Sequence, residues 1–438
     1  MAGSEKKELP RLEVYLKHSV LVSSIGTEEE FREGGPNSAA KKRLATIKDE
    51  LGKGFLDKLI IECSRPDFSV SLISPEATSL LTKLVDSVTS EVGRALVGLM
   101  VIQLSVKAIS PKQSIRLHKG GKQTNSFSWE DGIPMRIIDK SYVTPVLRKY
   151  GLLRLNADGV FMTRSLAENY PYSNLYKAAL RGARTEWLDL IEMVEAGTLP
   201  PLDALKNLIA MLHNRSEKFK VLADAALKSA YAAAKRISSL ASCISYFKRL
   251  VDNSTYSARL FEIAMHSFFQ VLDDNKALDG YLKPLSQMRS ANKKHGDVGD
   301  IEITEGKGTL QILESWDAKY GKAYLRDELE ELNDKLRDHP EMKLAGFVVD
   351  TKPNLKKEII SRVKEMEEQH DVKILILEFG TWARAQYRRT DISEAAFSRQ
   401  WVVAFAECLC QLRRDRAPID EPSDAWVVGL RTFSDSWT

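Results

Sequence analysis

Apolar residues along the second half of the chain recur with two different periods, and the switching between them predicts an architecture. Residues 254–274 (STYSARLFEIAMHSFFQVLDD) carry a strong apolar face at helical spacing, with Glu262 near the centre. Two strand-like runs follow, GDVGDIEI and TLQILESWDAKYG, and the polar turn TEGKG between them predicts a hairpin. Leu325, Leu329, Leu332 and Leu336 then recur at spacings of four, three and four, which marks an amphipathic helix. KLAGFVVD predicts a third strand, NLKKEIISRVKEMEEQH a further helix, and VKILILEF a fourth strand, apolar enough to lie inside a sheet covered on both faces. The order amounts to an α/β core of roughly 130 residues, the usual size of a domain.

The first half is less regular. LDKLIIECS and FSVSLIS have the look of short strands, and Pro75 to about Ile109 that of a helical stretch. Residues 141–150 predict a short helix closed by Gly151, after which two strand-like runs flank the turn NADG. A helix followed by a hairpin describes a winged-helix-like module, whose helix can enter a major groove while the wing touches phosphates. EAGTLPPLDAL supplies Gly197, Pro200 and Pro201 as a boundary, and the Ala, Leu and Lys rich stretch beyond it is helical until Asp252. The expected organisation is a mixed region (1–105), a basic winged-helix-like module (106–200), a helical connector (201–253), the α/β core (254–390) and a helical extension (391–438). The chain as a whole is thus expected to be a multi-domain α+β protein, its first half mostly helical.

Composition narrows the class without deciding the function. With 438 residues, 43% hydrophobic and 28% charged, the chain has the balance of a globular protein and not of a disordered or fibrous one. The charged N-terminus is unlike a signal peptide, and the longest apolar run, Ala95 to Ile102, falls short of the roughly 18 residues of a membrane span, so a cytoplasmic protein is expected. Cys63, Cys243, Cys408 and Cys410 lack zinc-site spacing and are expected to be reduced structural thiols. Net charge is only +4, but Val106 to Arg164 holds eleven Lys or Arg against four Asp or Glu. A basic segment in an otherwise slightly acidic chain is the footprint of a protein that grips phosphate backbones, and Arg148, Lys149, Arg154 and Arg164 are the residues placed to do so.

The candidate chemistry lies in LQILESWDAKYG. Side chains alternate along a strand, so Ser315, Asp317 and Lys319 share one face while Glu314 and Trp316 share the other. Asp300 opens the preceding strand, and the hairpin brings its carboxylate toward that of Asp317; Asp297 is an alternative acid three residues earlier. Two carboxylates converging beside a lysine are costly to bury unless something binds between them. A hard divalent cation such as Mg²⁺ meets that need with carboxylate oxygens, waters and substrate phosphate. His295 is the single nearby histidine, which argues against a zinc site.

Asp300, then Asp317-Ala318-Lys319 on the adjacent strand, after a helix bearing Glu262, resembles the PD-(D/E)XK nuclease superfamily, the fold of most type II restriction endonucleases. The resemblance covers residues of about 254 to 380, with Gly299-Asp300 where Pro-Asp is common and Asp317 where the family has Asp or Glu. It implies a restriction-endonuclease-like core in which a mixed central sheet is flanked by helices. It further implies Mg²⁺-dependent, sequence-specific hydrolysis of double-stranded DNA, with Mn²⁺ able to substitute. Asp300, Asp317 and Glu262 would be the metal acids, Lys319 the residue that holds or deprotonates water, and Lys322 and Arg326 contacts to the DNA backbone. Arg384, Arg388 and Arg389 are further candidates for such contacts. A homodimer that cuts both strands and a cognate DNA methyltransferase that protects the host genome are the implied partners. No ATP is expected, because EGKGT and KGGKQT lack Walker A spacing. The competing readings are a non-catalytic DNA-binding regulator with a degenerate nuclease fold and a structure-selective repair nuclease.

Overall fold

The computed structural model describes residues 9–23, 26–120, 127–155, 158–254, 256–286, 297–419 and 423–437. The chain forms two compact units, Met1–Lys218 and Phe219–Thr438.

The first unit opens with a three-stranded antiparallel sheet in the order β1 (Arg11–Val14), β2 (His18–Val22), β3 (Glu28–Arg32), which the sequence reading missed. Helices α1 (Ser38–Gly52), α2 (Phe55–Cys63), α3 (Pro75–Asp86), α4 (Glu91–Ile109), α5 (Met135–Ile138), α6 (Thr144–Lys149) and α7 (Arg184–Glu195) follow. LDKLIIECS is therefore helical: Leu56, Leu59, Ile60 and Cys63 are buried at spacings of three, one and three, a helical stripe. FSVSLIS forms no strand, and Leu72 within it is fully exposed. Helix α4 is long and apolar enough to cross a membrane, but thirteen of its residues are buried in the core of this unit.

The helix of the expected winged module is present, as a π-helical turn (Asp139–Val143) that runs into α6, but its hairpin is not formed among the described residues. Two 3-10 turns, Val160–Met162 and Arg164–Leu166, stand where the second strand was expected. The cause is a buried acid. Asp139 accepts hydrogen bonds from Thr144 Oγ1 at 2.6 Å and from the N–H of Val160 at 2.8 Å, and Gly159, at φ +86°, lies so close that a Cβ there would meet Asp139 Oδ2 at 2.1 Å. Val160 and Leu155 then pack against Gly98 of α4. Apolar side chains that alternate as a strand would are here drawn into a helical core. That core joins residues on both sides of the expected boundary at 105, from Ile47 to Leu212, so the basic segment has no separate core of its own.

Helix α8 (Pro201–Arg236) supplies Leu205, Leu208 and Leu212 to the first core and Phe219, Ala226 and Ala230 to the second. The expected connector is thus divided between the units. The second unit continues with α9 (Leu240–Asp252), α10 (Ser257–Asp274), β4 (Tyr281–Leu282), β5 (Ile301–Thr304), β6 (Ile312–Lys319), α11 (Arg326–Leu336), β7 (Leu344–Val349), α12 (Lys357–His370), β8 (Lys373–Glu378), α13 (Phe379–Tyr387), α14 (Glu394–Leu409) and α15 (Ser423–Ser436). Apart from the two-residue β4, the order of elements between 254 and 380 is the one the periodicity predicts.

The five strands form one mixed sheet in the order β4-β5-β6-β7-β8, antiparallel from β4 to β6 and parallel from β6 to β8. One face, with Ile301, Ile303, Trp316 and Val348, packs on an aromatic core that includes Phe268, Trp382 and Trp401. The other, with Phe347 and Val349, packs on Leu329 and Leu332 of α11 and Ile359 and Met366 of α12. Strand β8 lies at an edge and not inside the sheet. Its apolar character still follows from two covered faces, since Ile374 and Ile376 join one core while Leu375 and Leu377 join the other.

Candidate active site

The parallel register pairs Asp317 with Phe347 and Lys319 with Val349, so both charged side chains project on the α11 side of the sheet. Lys319 Nζ lies 2.7 Å from Asp317 Oδ2, with side chains 22 and 19% exposed. Asp300 sits where the chain enters β5, and its Oδ2 accepts the N–H of Ala318 at 2.9 Å. Gly299 makes that approach possible: a Cβ there would come within 2.5 Å of Ser315 Oγ and 2.8 Å of the Trp316 carbonyl oxygen. The Asp300 and Asp317 carboxyl groups are close enough for the charge of one to act on the other. Three of the four residues expected to carry the chemistry are therefore together, and Asp317 also lines a small cleft with Ser315, Glu328, Glu331, Lys335 and Phe347.

Glu262 stands apart in its bonding. Its charge acts on Asp300, but its carboxylate is paired with Arg259 one turn earlier, and Arg259 also donates to the carbonyl of Ser286 at 2.7 Å. Asp297 is not the acid beside Asp317; it is bound by Lys283 at 2.7 Å. Glu314 faces the opposite core, as alternation predicts, and takes hydrogen bonds from Trp316 Nε1 at 2.7 Å and from Arg389 at 2.9 Å. Arg389 is thereby committed to a nearly buried acid, contrary to the expectation that it meets DNA. His295 lies outside the described residues.

The residues expected to hold DNA are mostly engaged within the chain. Lys149 pairs with Asp57 at 2.8 Å, Lys322 with Glu328 at 2.5 Å and Arg326 with Glu330 at 2.9 Å, while Arg148 donates to the carbonyl of Leu155 at 2.5 Å. Arg154 is half-buried and Arg164 exposed. Part of the basic segment's charge is internal: Arg116 is 4% exposed and bound to Glu192, and Lys107 is bound to Glu195.

The electrostatics match a shared site. Asp300 is held well above the ordinary carboxyl range, first by exclusion of solvent and then by the carboxylates of Asp317 and Glu262. Burial works against the charge of Lys319, yet the carboxylates of Asp317 and Asp300 outweigh it and raise the lysine. Two carboxyl groups that repel at close range are relieved by sharing either a proton or a cation. Among the described residues no group of three or more His, Cys, Asp or Glu side chains is arranged to hold a metal. Two carboxylates nevertheless fit Mg²⁺, which keeps several waters and takes its remaining ligands from substrate phosphate. Asp300 and Asp317 could supply such donors, while Glu262, whose charge also acts on Asp300, is salt-bridged to Arg259.

The sequence reading missed Glu302, Lys283 and Lys335. Glu302 is 2% exposed and salt-bridged to Lys283 at 2.7 Å, and Lys335 donates to the carbonyl of Val298 at 3.1 Å. The available signal was an acid between two isoleucines of a strand, which must have a partner if it is buried. The chain matches no protein-family model and no curated protein.

Proposed function

We propose that this protein is a Mg²⁺-dependent DNA endonuclease of the restriction type, hydrolysing phosphodiester bonds at Asp300, Asp317 and Lys319. The observation that carries the reading is that Asp300 is fastened to the N–H of Ala318, between Asp317 and Lys319, which are themselves salt-bridged at the end of β6. A divalent cation held by Asp300 and Asp317 would offset charge on the scissile phosphate and acidify a bound water. Lys319 is raised and therefore an ammonium at neutral pH. In that form it offers a compact positive charge to phosphate oxygens and orients water, and it is not a resting base. If Asp317 turns from Lys319 toward a cation, the lysine loses the partner that holds its proton and becomes a better proton acceptor.

Lys149, Lys322 and Arg326 pair with acids at partly exposed positions. Exposed pairs are weak, so exchanging a carboxylate for a DNA phosphate costs little at Lys149 and Arg326, while Lys322 is held by a Glu328 side chain that is 10% exposed. Cutting a duplex needs two sites, which a homodimer supplies, and a cognate methyltransferase would protect the host's own sequence. The test is incubation of purified protein with mixed plasmid DNA and MgCl₂. Discrete fragments that disappear on chelation support the reading. Shifted but uncut DNA favours the non-catalytic regulator, and nicking confined to branched or damaged DNA favours a repair nuclease.

A further inference from the structure

We infer that Glu302 is a positioning residue for the metal-binding carboxylate of Asp300, acting through the backbone of residues 297–299; the inference rests on the nuclease reading. Asp300 reaches Asp317 only because the segment before it lies flat against β6, and that segment has no strand partner of its own among the described residues. Glu302 supplies the missing bonds. Its Oε1 accepts the N–H of Val298 at 2.6 Å and that of Gly299 at 3.4 Å, and its Oε2 is bound by Lys283 Nζ at 2.7 Å. The same ammonium holds Asp297 at 2.7 Å, and the N–H of Lys283 donates to the carbonyl of Glu302 at 2.9 Å. From the α11 side, Lys335 donates to the carbonyl of Val298 at 3.1 Å. The segment is thereby bound at its acid, its N–H groups and its carbonyl.

This arrangement has a cost that structure alone does not require. A carboxylate that is 2% exposed is expensive to bury, and an apolar side chain between Ile301 and Ile303 would extend the strand without it. What Glu302 provides that an apolar residue cannot is a pair of fixed acceptors for the N–H groups leading into Asp300. Removing a hydrogen bond to a ligating side chain itself typically changes metal affinity by about 10–100-fold, and Glu302, one backbone link further out, is expected to act toward the lower end of that range.

The experiment titrates Mn²⁺ into full-length protein without DNA, by calorimetry or by loss of the free-ion electron paramagnetic resonance signal, and measures the cation dependence of plasmid cleavage alongside. Glu302→Ala should weaken Mn²⁺ binding by about tenfold and shift the cation midpoint for cleavage upward in parallel. Glu302→Gln, which keeps an acceptor for the N–H groups, should recover most of the loss. Lys335→Met, on the surface helix α11, loosens the same segment from the other side and should weaken Mn²⁺ binding in the same direction, which keeps the inference open to test if the buried variants fail to fold. Unchanged Mn²⁺ affinity in folded Glu302→Ala or Lys335→Met overturns the role of this network. Failure of the wild type itself to bind Mn²⁺ overturns the nuclease reading and the positioning role with it.

Discussion

Asp300 accepts the backbone N–H of Ala318 at 2.9 Å, so the acid that opens β5 is fastened to the residue between the two charges that end β6. One carboxyl group is thereby held against a second although like charges repel. Such an arrangement is destabilising in the resting protein at neutral pH unless the pair shares a proton or a cation. Replacing Asp300 by Asn keeps an acceptor for Ala318 and removes the repulsion. Asp300→Asn should raise stability at neutral pH by roughly 1 kcal/mol in chelator, read by denaturant unfolding, while abolishing stabilisation by added Mn²⁺. A large loss of stability would show that the two carboxyl groups are not in conflict.

The same relationship sets a pH dependence. Because folded Asp300 is raised, the folded chain keeps a proton that the unfolded chain releases. The stability linked to it is complete below the ordinary carboxyl range and is lost as pH rises through the raised value. Two buried histidines act in the opposite sense. Burial first of all, aided by Lys119, lowers His118 to about 3, and burial lowers His266 to about 4. Their contribution is complete above pH 6.5 and is lost as pH falls toward those values, because the unfolded chain then takes up protons that the folded chain refuses. His118 is stacked on Tyr172 at 4.6 Å, so His118→Phe retains the aromatic contact. It should remove roughly half of the acid-side slope of stability between pH 6 and 4 that the two histidines produce, measured by urea unfolding across that range.

Arg389 and Glu314 form a pair that the sequence alone cannot distinguish from a DNA contact. Glu314 is 8% exposed, and losing Arg389 leaves its carboxylate, among the described residues, with the Trp316 N–H alone. Arg389→Met should therefore cost about 2 kcal/mol of stability and leave DNA affinity within about twofold of the wild type. The opposite pattern, with stability kept and DNA binding lost, would return Arg389 to the DNA-contacting set.

Gly299 should tolerate no side chain. A methyl group there meets Ser315 Oγ at 2.5 Å and the Trp316 carbonyl at 2.8 Å, so Gly299→Ala must push the segment off β6 and carry Asp300 away from Asp317. Mn²⁺ binding should fall at least about tenfold, with a stability loss of roughly 1–3 kcal/mol. An alanine variant with unaltered Mn²⁺ affinity would show that this close approach does not position the acid.

How much of this was legible depended on whether local pattern and tertiary environment agreed. In the second unit they did: Leu329, Leu332 and Leu336 mark a helix that packs where its stripe demands, and the alternation of Trp316, Asp317, Ala318 and Lys319 places the charges on the α11 side. In the first unit they did not. The β-rich composition of Leu59, Ile60 and Ile61 suggested a strand although the buried positions carry helical spacing, and the run after Gly151 was diverted by Asp139, whose bond to Val160 spans 21 residues of sequence. Ion pairing is non-local for the same reason. Nothing near Lys149 in the sequence announces Asp57, and nothing near Arg389 announces Glu314.

The most direct measurement compares wild type with Asp317→Ala on plasmid DNA in MgCl₂, following cleavage by electrophoresis and binding by fluorescence anisotropy in Ca²⁺. The account predicts discrete fragments from the wild type, cleavage reduced at least about a hundredfold in the variant, and DNA affinity within a few fold for both. Undiminished cleavage by the purified variant, or a wild type that binds DNA and never cuts it with Mg²⁺ or Mn²⁺ present, would contradict it.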